Sequence, residues 1–217
     1  MDRNYLKSVA ASGLFKYLKP AEYEGACSEL NMAPRKYVDQ QIIYGQDSKV
    51  TRAAIVHEGF VKGERLHVEG TSNLAYLYGY GEVFAFEGAL SGKKTSPLQL
   101  TAEGDATVIF FDVQKIFLCS FERELTLGLM ELLANDNIKK LYRVEILSCR
   151  GLRDRILAYF KIMASQSGDS SFTLNMSREQ LARYLCVNRS ALSYELNQMK
   201  REGIIAFDRK RVTLLQG

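Results

Sequence analysis

Leu6, Val9, Ala10, Leu14 and Leu18 recur at intervals of three and four, the spacing that lines one face of a helix, and predict a helix up to about Lys19. Pro20, a residue suited to a first helical position, opens a second short helix to about Leu30. From Tyr37 to Asp112 the pattern changes. Segments rich in β-branched and aromatic residues at 42–44, 53–60, 65–68, 74–78, 83–86, 98–102 and 107–111 alternate with Gly45, Gly59, Gly63, Gly70, Gly79, Gly81 and Gly104. Seven or eight short strands at that spacing predict an antiparallel sandwich or barrel.

Beyond Asp112 the strand signal stops. Residues 114–148 hold no proline and one glycine, Gly128, and their apolar positions fit a helix of about 30 residues, some 45 Å long. Met130, Leu133 or Ala134, Asn137, Leu141, Val144 and Ser148 approximate the 3.5-residue seam of a coiled coil, with Asn137 as the polar position that sets register; the alternative is a long helix lying on its own barrel. This helix is therefore expected to pair two copies of the chain. Arg150-Gly151 breaks it and marks a hinge, after which Leu152 to Met163 is helical through Ile156, Leu157, Phe160 and Met163. Residues 164–171 read as a polar loop.

The last 45 residues carry the most specific local signals. Ser177 followed three residues later by Gln180 is a capping box, and Leu181, Ala182 and Leu185 form the buried face of the helix it opens. Asn188 caps a second helix that ends before Gly203 and buries Leu192, Leu196 and Met199. Its opposite face presents Arg189, Ser193 and Asn197 at i, i+4 and i+8, flanked by Ser190 and Tyr194, with Lys200 and Arg201 at the end. Such a face suits the DNA major groove, where Arg pairs with guanine and Asn with adenine, while hydroxyls and helix N-terminal amides hold phosphates. Two short strands around Arg209, Lys210 and Arg211 then form a basic hairpin, a wing placed to meet the DNA backbone.

Charge supports that reading. The net charge of +4 is uneven: residues 149–217 hold 12 Lys and Arg against 6 Asp and Glu, which leaves 17 against 19 in the rest. An anionic partner for the last third is expected. With 47% hydrophobic residues the 217-residue chain can bury a sizeable core, and its longest apolar runs, such as 108–111, fall far short of the about 20 residues of a membrane span. The first residues lack a secretory pattern, so a cytoplasmic location is expected. Cys27, Cys119, Cys149 and Cys186 stand 92, 30 and 37 residues apart, which matches no local metal-binding spacing.

Residues 176–193, Met-Ser-Arg-Glu-Gln-Leu-Ala-Arg-Tyr-Leu-Cys-Val-Asn-Arg-Ser-Ala-Leu-Ser, resemble the helix-turn-helix of the Crp/Fnr superfamily of transcription regulators. Shorter likenesses lie at 13–18, at Gly59-Phe60-Val61-Lys62 and at Gly81-Glu82-Val83-Phe84. The resemblance implies an α+β chain: an N-terminal cyclic-nucleotide-binding-like antiparallel β-barrel (jelly roll) with helices over 1–113, a dimerisation helix over 114–148, and a winged helix-turn-helix over 149–217. It places Arg189 on the base-reading arginine and Ser177 and Arg178 on a phosphate-touching Thr-Arg pair. Ser190 stands where many members have Glu, and Tyr194 where many have a second Arg, which implies a different half-site. Cys186 replaces the usual turn glycine.

The resemblance also frames the sensor. Cyclic-nucleotide members hold ribose and phosphate with a Phe-Gly-Glu segment and a downstream Arg-Ser or Arg-Thr pair, whereas this chain has Phe84-Ala85-Phe86 and then Lys93-Lys94-Thr95-Ser96. Phe84, Phe86, Glu87, Lys94, Thr95 and Ser96 are the expected effector contacts, with Glu87 or Lys94 as substitutes for the missing Glu and Arg. Lysine lacks the guanidinium fork, so a ligand other than cyclic AMP, or none, is expected. No cofactor or metal is expected, since His57 and His67 are too far apart for a cupin His-x-His pair and no catalytic set can be named. The partners implied are double-stranded DNA, a second copy of the chain, a small-molecule effector and, for an activator, RNA polymerase. The rival reading is a ligand-binding or cupin-type module whose C-terminal helices mediate protein contacts.

Overall fold

The computed structural model describes residues 3–215. It divides into two compact units, Met1–Asp136 and Asn137–Gly217. The first opens with helix α1 (Arg3–Ala11), 3-10 turns at Gly13–Phe15 and Pro20–Glu22, and α2 (Tyr23–Glu29). The helix expected to reach Lys19 thus ends at Ala11, where Ser12 takes extended backbone and its hydroxyl donates back to the Val9 carbonyl at 2.6 Å. Six antiparallel strands follow: β1 (Ala33–Tyr37), β2 (Ile42–Tyr44), β3 (Ala53–Leu66), β4 (Ser72–Tyr78), β5 (Val83–Phe84) and β6 (Gln99–Phe111). Their order is β1-β6-β3-β4, with β2 also on β6 and β5 on β3. This is the expected antiparallel roll.

Its strands are fewer and longer than the glycine spacing predicts. Gly59 and Gly104 take positive φ inside continuous strands, so the segments expected to be separate join into β3 and β6. A bulge lets the ladder absorb the left-handed residue and run on. At Gly59 only glycine fits, because a Cβ there would stand 2.2 Å from the Asp105 carbonyl oxygen. Strand β1 contains Pro34 and ends the sheet path, the edge position where a missing N–H is tolerated. The segment 83–86 is a strand for two residues only; Ala85 then turns left-handed at φ 64° and α3 (Phe86–Leu90) begins.

Residues 113–118 form a 3-10 turn, and α4 (Glu122–Ser148) then runs 27 residues, about 40 Å. Leu125 and Leu129 bury themselves in the core of the first unit, and Gly128 lets α4 approach the Gly13–Phe15 turn. Other apolar side chains of α4 stay bare: Leu127, Met130, Leu133, Ile138, Leu141 and Val144 are 40–66% exposed, and Asn137 among them is exposed as well. None of the helices among the described residues is long and apolar enough to cross a membrane.

The second unit comprises the end of α4, α5 (Leu152–Ser167), β7 (Ser171–Thr173), α6 (Arg178–Tyr184), α7 (Arg189–Arg201), β8 (Ile205–Asp208) and β9 (Arg211–Leu214). Its core joins Ile146, Ile156, Tyr159, Phe160, Leu181, Leu192, Leu196 and Met199. α5 extends past the expected Met163 to Ser167, stopped by Gly168 at φ 71°. The polar stretch after it closes into β7, which adds a third strand to the hairpin in the order β7-β9-β8.

Candidate nucleic-acid interface

The helix pair is built by its caps. Ser177 Oγ accepts from the Gln180 amide at 3.2 Å, and Gln180 Oε1 accepts from the Ser177 amide at 2.7 Å, which satisfies two of the free donors at the start of α6. The connecting turn folds back through Val187 N–H to the Ala182 carbonyl at 2.9 Å. Cys186 sits in this turn at φ 55°, the left-handed conformation that costs a side chain about 1–2 kcal/mol. Asn188 Oδ1 then accepts from both the amide and the hydroxyl of Ser190, at 2.8 and 2.5 Å, and starts α7.

Burying Leu192, Leu196 and Met199 turns the other side of α7 outward. Arg189, Ser190, Tyr194, Asn197 and Lys200 are exposed, and Ser193 is half-buried beside them. The Arg189 side chain is 68% exposed and lies 3.9 Å from the Glu179 carboxylate, which also receives Arg183 at 2.9 Å. Glu179 thus holds the arginine loosely, as a stand-in anion. Gln198 Nε2 donates to the Tyr194 hydroxyl at 2.9 Å.

The hairpin adds an exposed basic tip at Arg209 and Lys210, with Arg209 at φ 53° and Asp208 paired to Arg211. Arg178 packs against the hairpin. Its guanidinium lies 4.6 Å from the centre of the Phe207 ring and is half-buried, which holds its pKa below the ordinary arginine value. Ser177, Asn188 and Ser190 are exposed, but their side-chain oxygens already serve the caps.

Three arginines that sequence reasoning missed hold this unit together. Arg153, in the first turn of α5, donates to Glu195 at 2.6 Å and to both oxygens of Glu202 at 2.7 and 3.0 Å, which raises its own pKa further and lowers that of Glu202. The available signal was the pair Glu195 and Glu202, seven residues apart, the first within α7 and the second capping its C-terminus. Arg155 donates to the Cys149 carbonyl at 3.0 Å and the Leu185 carbonyl at 3.4 Å, and Arg143 stacks on Tyr184 at 4.3 Å.

In the roll, the six expected effector contacts separate into two groups. Phe84, Phe86 and Ser96 are buried, with Ser96 Oγ donating to the Leu98 carbonyl at 2.6 Å. Lys94 is exposed at φ 52°, while Glu87 and Thr95 are half-buried; the Thr95 carbonyl closes on Gly88, where a Cβ would come within 2.9 Å. Beside them Tyr76 stacks on Tyr78 at 5.2 Å, and Tyr78 meets Phe84 in a tilted ring contact at 5.5 Å. Burial first, then the nearby Glu87, Tyr76, Asp136 and Glu82, pushes the Tyr78 phenol well above its usual pKa. The histidines are engaged in side-chain contacts, His57 Nδ1 with Ser8 Oγ and His67 Nε2 with Asn73, each at 2.9 Å. Among the described residues no group of three His, Cys, Asp or Glu side chains is arranged to hold a metal ion.

Residues 154–216 match the Crp-like helix-turn-helix domain family. Among solved structures, a variant of CooA from Carboxydothermus hydrogenoformans is 18% identical with a TM-score of 0.72, over 90% of this chain and 88% of that one. FixK2 from Bradyrhizobium japonicum is 19% identical with a TM-score of 0.68, over 85% and 93%. The c-di-GMP responsive global regulator CLP of Xanthomonas campestris is 16% identical with a TM-score of 0.68, over 89% and 100%. No curated protein sequence matches the chain.

Proposed function

We propose that this chain, with the fold of the Crp/Fnr-type regulators and a Crp-like helix-turn-helix domain at residues 154–216, is a homodimeric, sequence-specific DNA-binding transcription regulator and not an enzyme. The observation that carries the reading is the outward face of α7. Two capped helices hold a row of polar and basic side chains clear of the core, with Arg189 reaching from the helix N-terminus where groove contacts are made. Arg189, Ser193 and Asn197 address base edges. Ser177, Asn188, Ser190, Lys200, Arg209 and Lys210 line the DNA backbone, with Arg178, held over the Phe207 ring of the hairpin, beside them.

Residues 114–148 serve as the pairing segment and 149–217 as the reading domain. The bare apolar side chains of α4, exposed to water at about 25 cal/mol per Å², favour a partner helix, and Asn137 sets the register. The paired readers would address half-sites about one helical turn, roughly 34 Å, apart. Residues 1–113 receive the signal, with Glu87, Lys94 and Thr95 as the polar groups able to meet a small-molecule effector. The signal acts by altering the pairing or the hinge near Arg150 to Asp154, and so the spacing of the readers. An activator would add RNA polymerase as a partner.

The test is selection of bound duplexes from a random pool by the full-length protein, with and without a small-molecule cell extract. Enrichment of a two-fold symmetric site is expected. Arg189→Ala should weaken binding to that site about 10- to 100-fold, the worth of one bidentate base contact, with an unchanged melting temperature. Unchanged binding would refute the assignment of α7 as the reading helix.

A further inference from the structure

We infer that Tyr194 is a specificity-determining residue whose ring recognises a thymine 5-methyl group in each half-site, an inference that rests on the DNA-binding reading above. Leu192, Leu196 and Met199 fix the buried side of α7. At about 100° per residue, the direction opposite to their mean falls between Ser190, Arg201 and Tyr194. Tyr194 therefore stands near the centre of the outward face, 65% exposed, with Ser190, Asn197, Gln198 and Arg201 around it and the small Ala191 as its one apolar neighbour on that face. It is the one large apolar group on that surface.

The major groove offers one apolar group in return, the thymine methyl; its other features are hydrogen-bond donors and acceptors. The ring is held ready for it. Gln198, one turn further along α7, donates to the phenol oxygen at 2.9 Å, which fixes the ring and leaves the phenol proton free to donate. Tyr194 lies five residues beyond Arg189, about 7.5 Å along the helix and about 140° around it, so the two side chains address different base pairs of the half-site. An arginine at 194 would ask for guanine there instead.

The experiment starts from the duplex enriched by the full-length protein. Each thymine of the half-site is replaced in turn by deoxyuridine, which removes only the methyl group. One position per half-site should then lose about three- to fivefold in affinity, the worth of one buried methyl. Tyr194→Ala, at an exposed site, should keep its fold by circular dichroism and show no response to deoxyuridine at that position. Tyr194→Arg, taken through the same selection, should exchange thymine for guanine there and keep the guanine read by Arg189. Indifference of the parent protein to every replacement, or an equal response from Tyr194→Ala, would overturn the inference while leaving an Arg189-dependent site, and the regulator reading, standing. Failure to enrich any duplex would overturn both.

Discussion

Gly128 in α4 gives the sharpest test of how the long helix is seated in the first unit. A Cβ at this position would stand 2.2 Å from the Leu14 carbonyl oxygen, 2.8 Å from its carbon and 3.1 Å from the Gly13 oxygen. Carbon and oxygen approach to about 3.3 Å in the closest ordinary contacts, so Gly128→Ala demands about 1.1 Å of separation. The obstructing atom is backbone, flanked by the fully buried side chains of Leu14 and Phe15, and cannot swing aside. Overpacking of this kind costs about 1–3 kcal/mol, and alanine returns about 0.8–1 kcal/mol through helix propensity. Taking the upper end, the net loss is about 2 kcal/mol, or about 4–8 °C in the melting temperature of this unit. Scanning calorimetry should rank three variants. Gly92→Ala, with open space around it, should stay within about 0.5 kcal/mol of the parent. Gly13→Ala, which meets the flexible Leu132 Cδ2 at 3.0 Å, should fall between the two. A Gly128→Ala protein that melts at or above the parent would refute the close-contact reasoning.

Leu141→Glu combined with Val144→Glu should convert the protein from dimer to monomer in sedimentation velocity, and a dimer that persists would remove α4 from the interface. Cys186→Gly relieves the left-handed strain that the cysteine carries at φ 55° and should stabilise the second unit by up to about 1–2 kcal/mol in denaturant titrations, whereas β-branched Cys186→Val should destabilise it. The lowered pKa of Glu202, owed first to its hydrogen bonds with Arg153, gives a pH dependence of definite sign. A depressed carboxyl contributes stability above its unfolded pKa of about 4.3 and loses it as pH falls through the folded value. Thermal melts should therefore show the parent more stable than Arg153→Ala at pH 7, with the gap narrowing below about pH 4; a constant gap would dissociate the brace from ionisation.

What the sequence disclosed was local. The box joining Ser177 to Gln180 spans three residues, the Asn188 cap two, and the left-handed turn at Cys186 follows from where those helices must stop and start. The antiparallel roll was legible as a class because β-branched and aromatic runs alternate with glycines. Its strand count was not, because Gly59 and Gly104 bulge within strands instead of ending them, and β1 carries a proline that reads as a break. β7 escaped notice because Phe172 alone of its three residues is buried. The long-range contacts were invisible in principle: Arg153 reaches partners 42 and 49 residues away, and the stacking of Arg178 on Phe207 requires knowing where the hairpin folds back. Resemblance implies a phosphate for Arg178; the structure adds an aromatic ring beneath its guanidinium.

The arginines around the helix-turn-helix bear on how such a reader can be exchanged between proteins. Arg143 leaves α4 to stack on Tyr184, Ile146 is sealed in the second core, and the Cys149 carbonyl shares the Arg155 guanidinium with the Leu185 carbonyl. A transplant begun at the hinge would sever all three and leave a buried face open. The transferable module is longer than the helix-turn-helix and its hairpin, and it starts inside the long helix, near Asn137. Under the proposed dimeric reading, a lineage that swaps its operator by recombination carries that half-helix along, so that the specificity of the reader and the second half of the proposed pairing seam are inherited together.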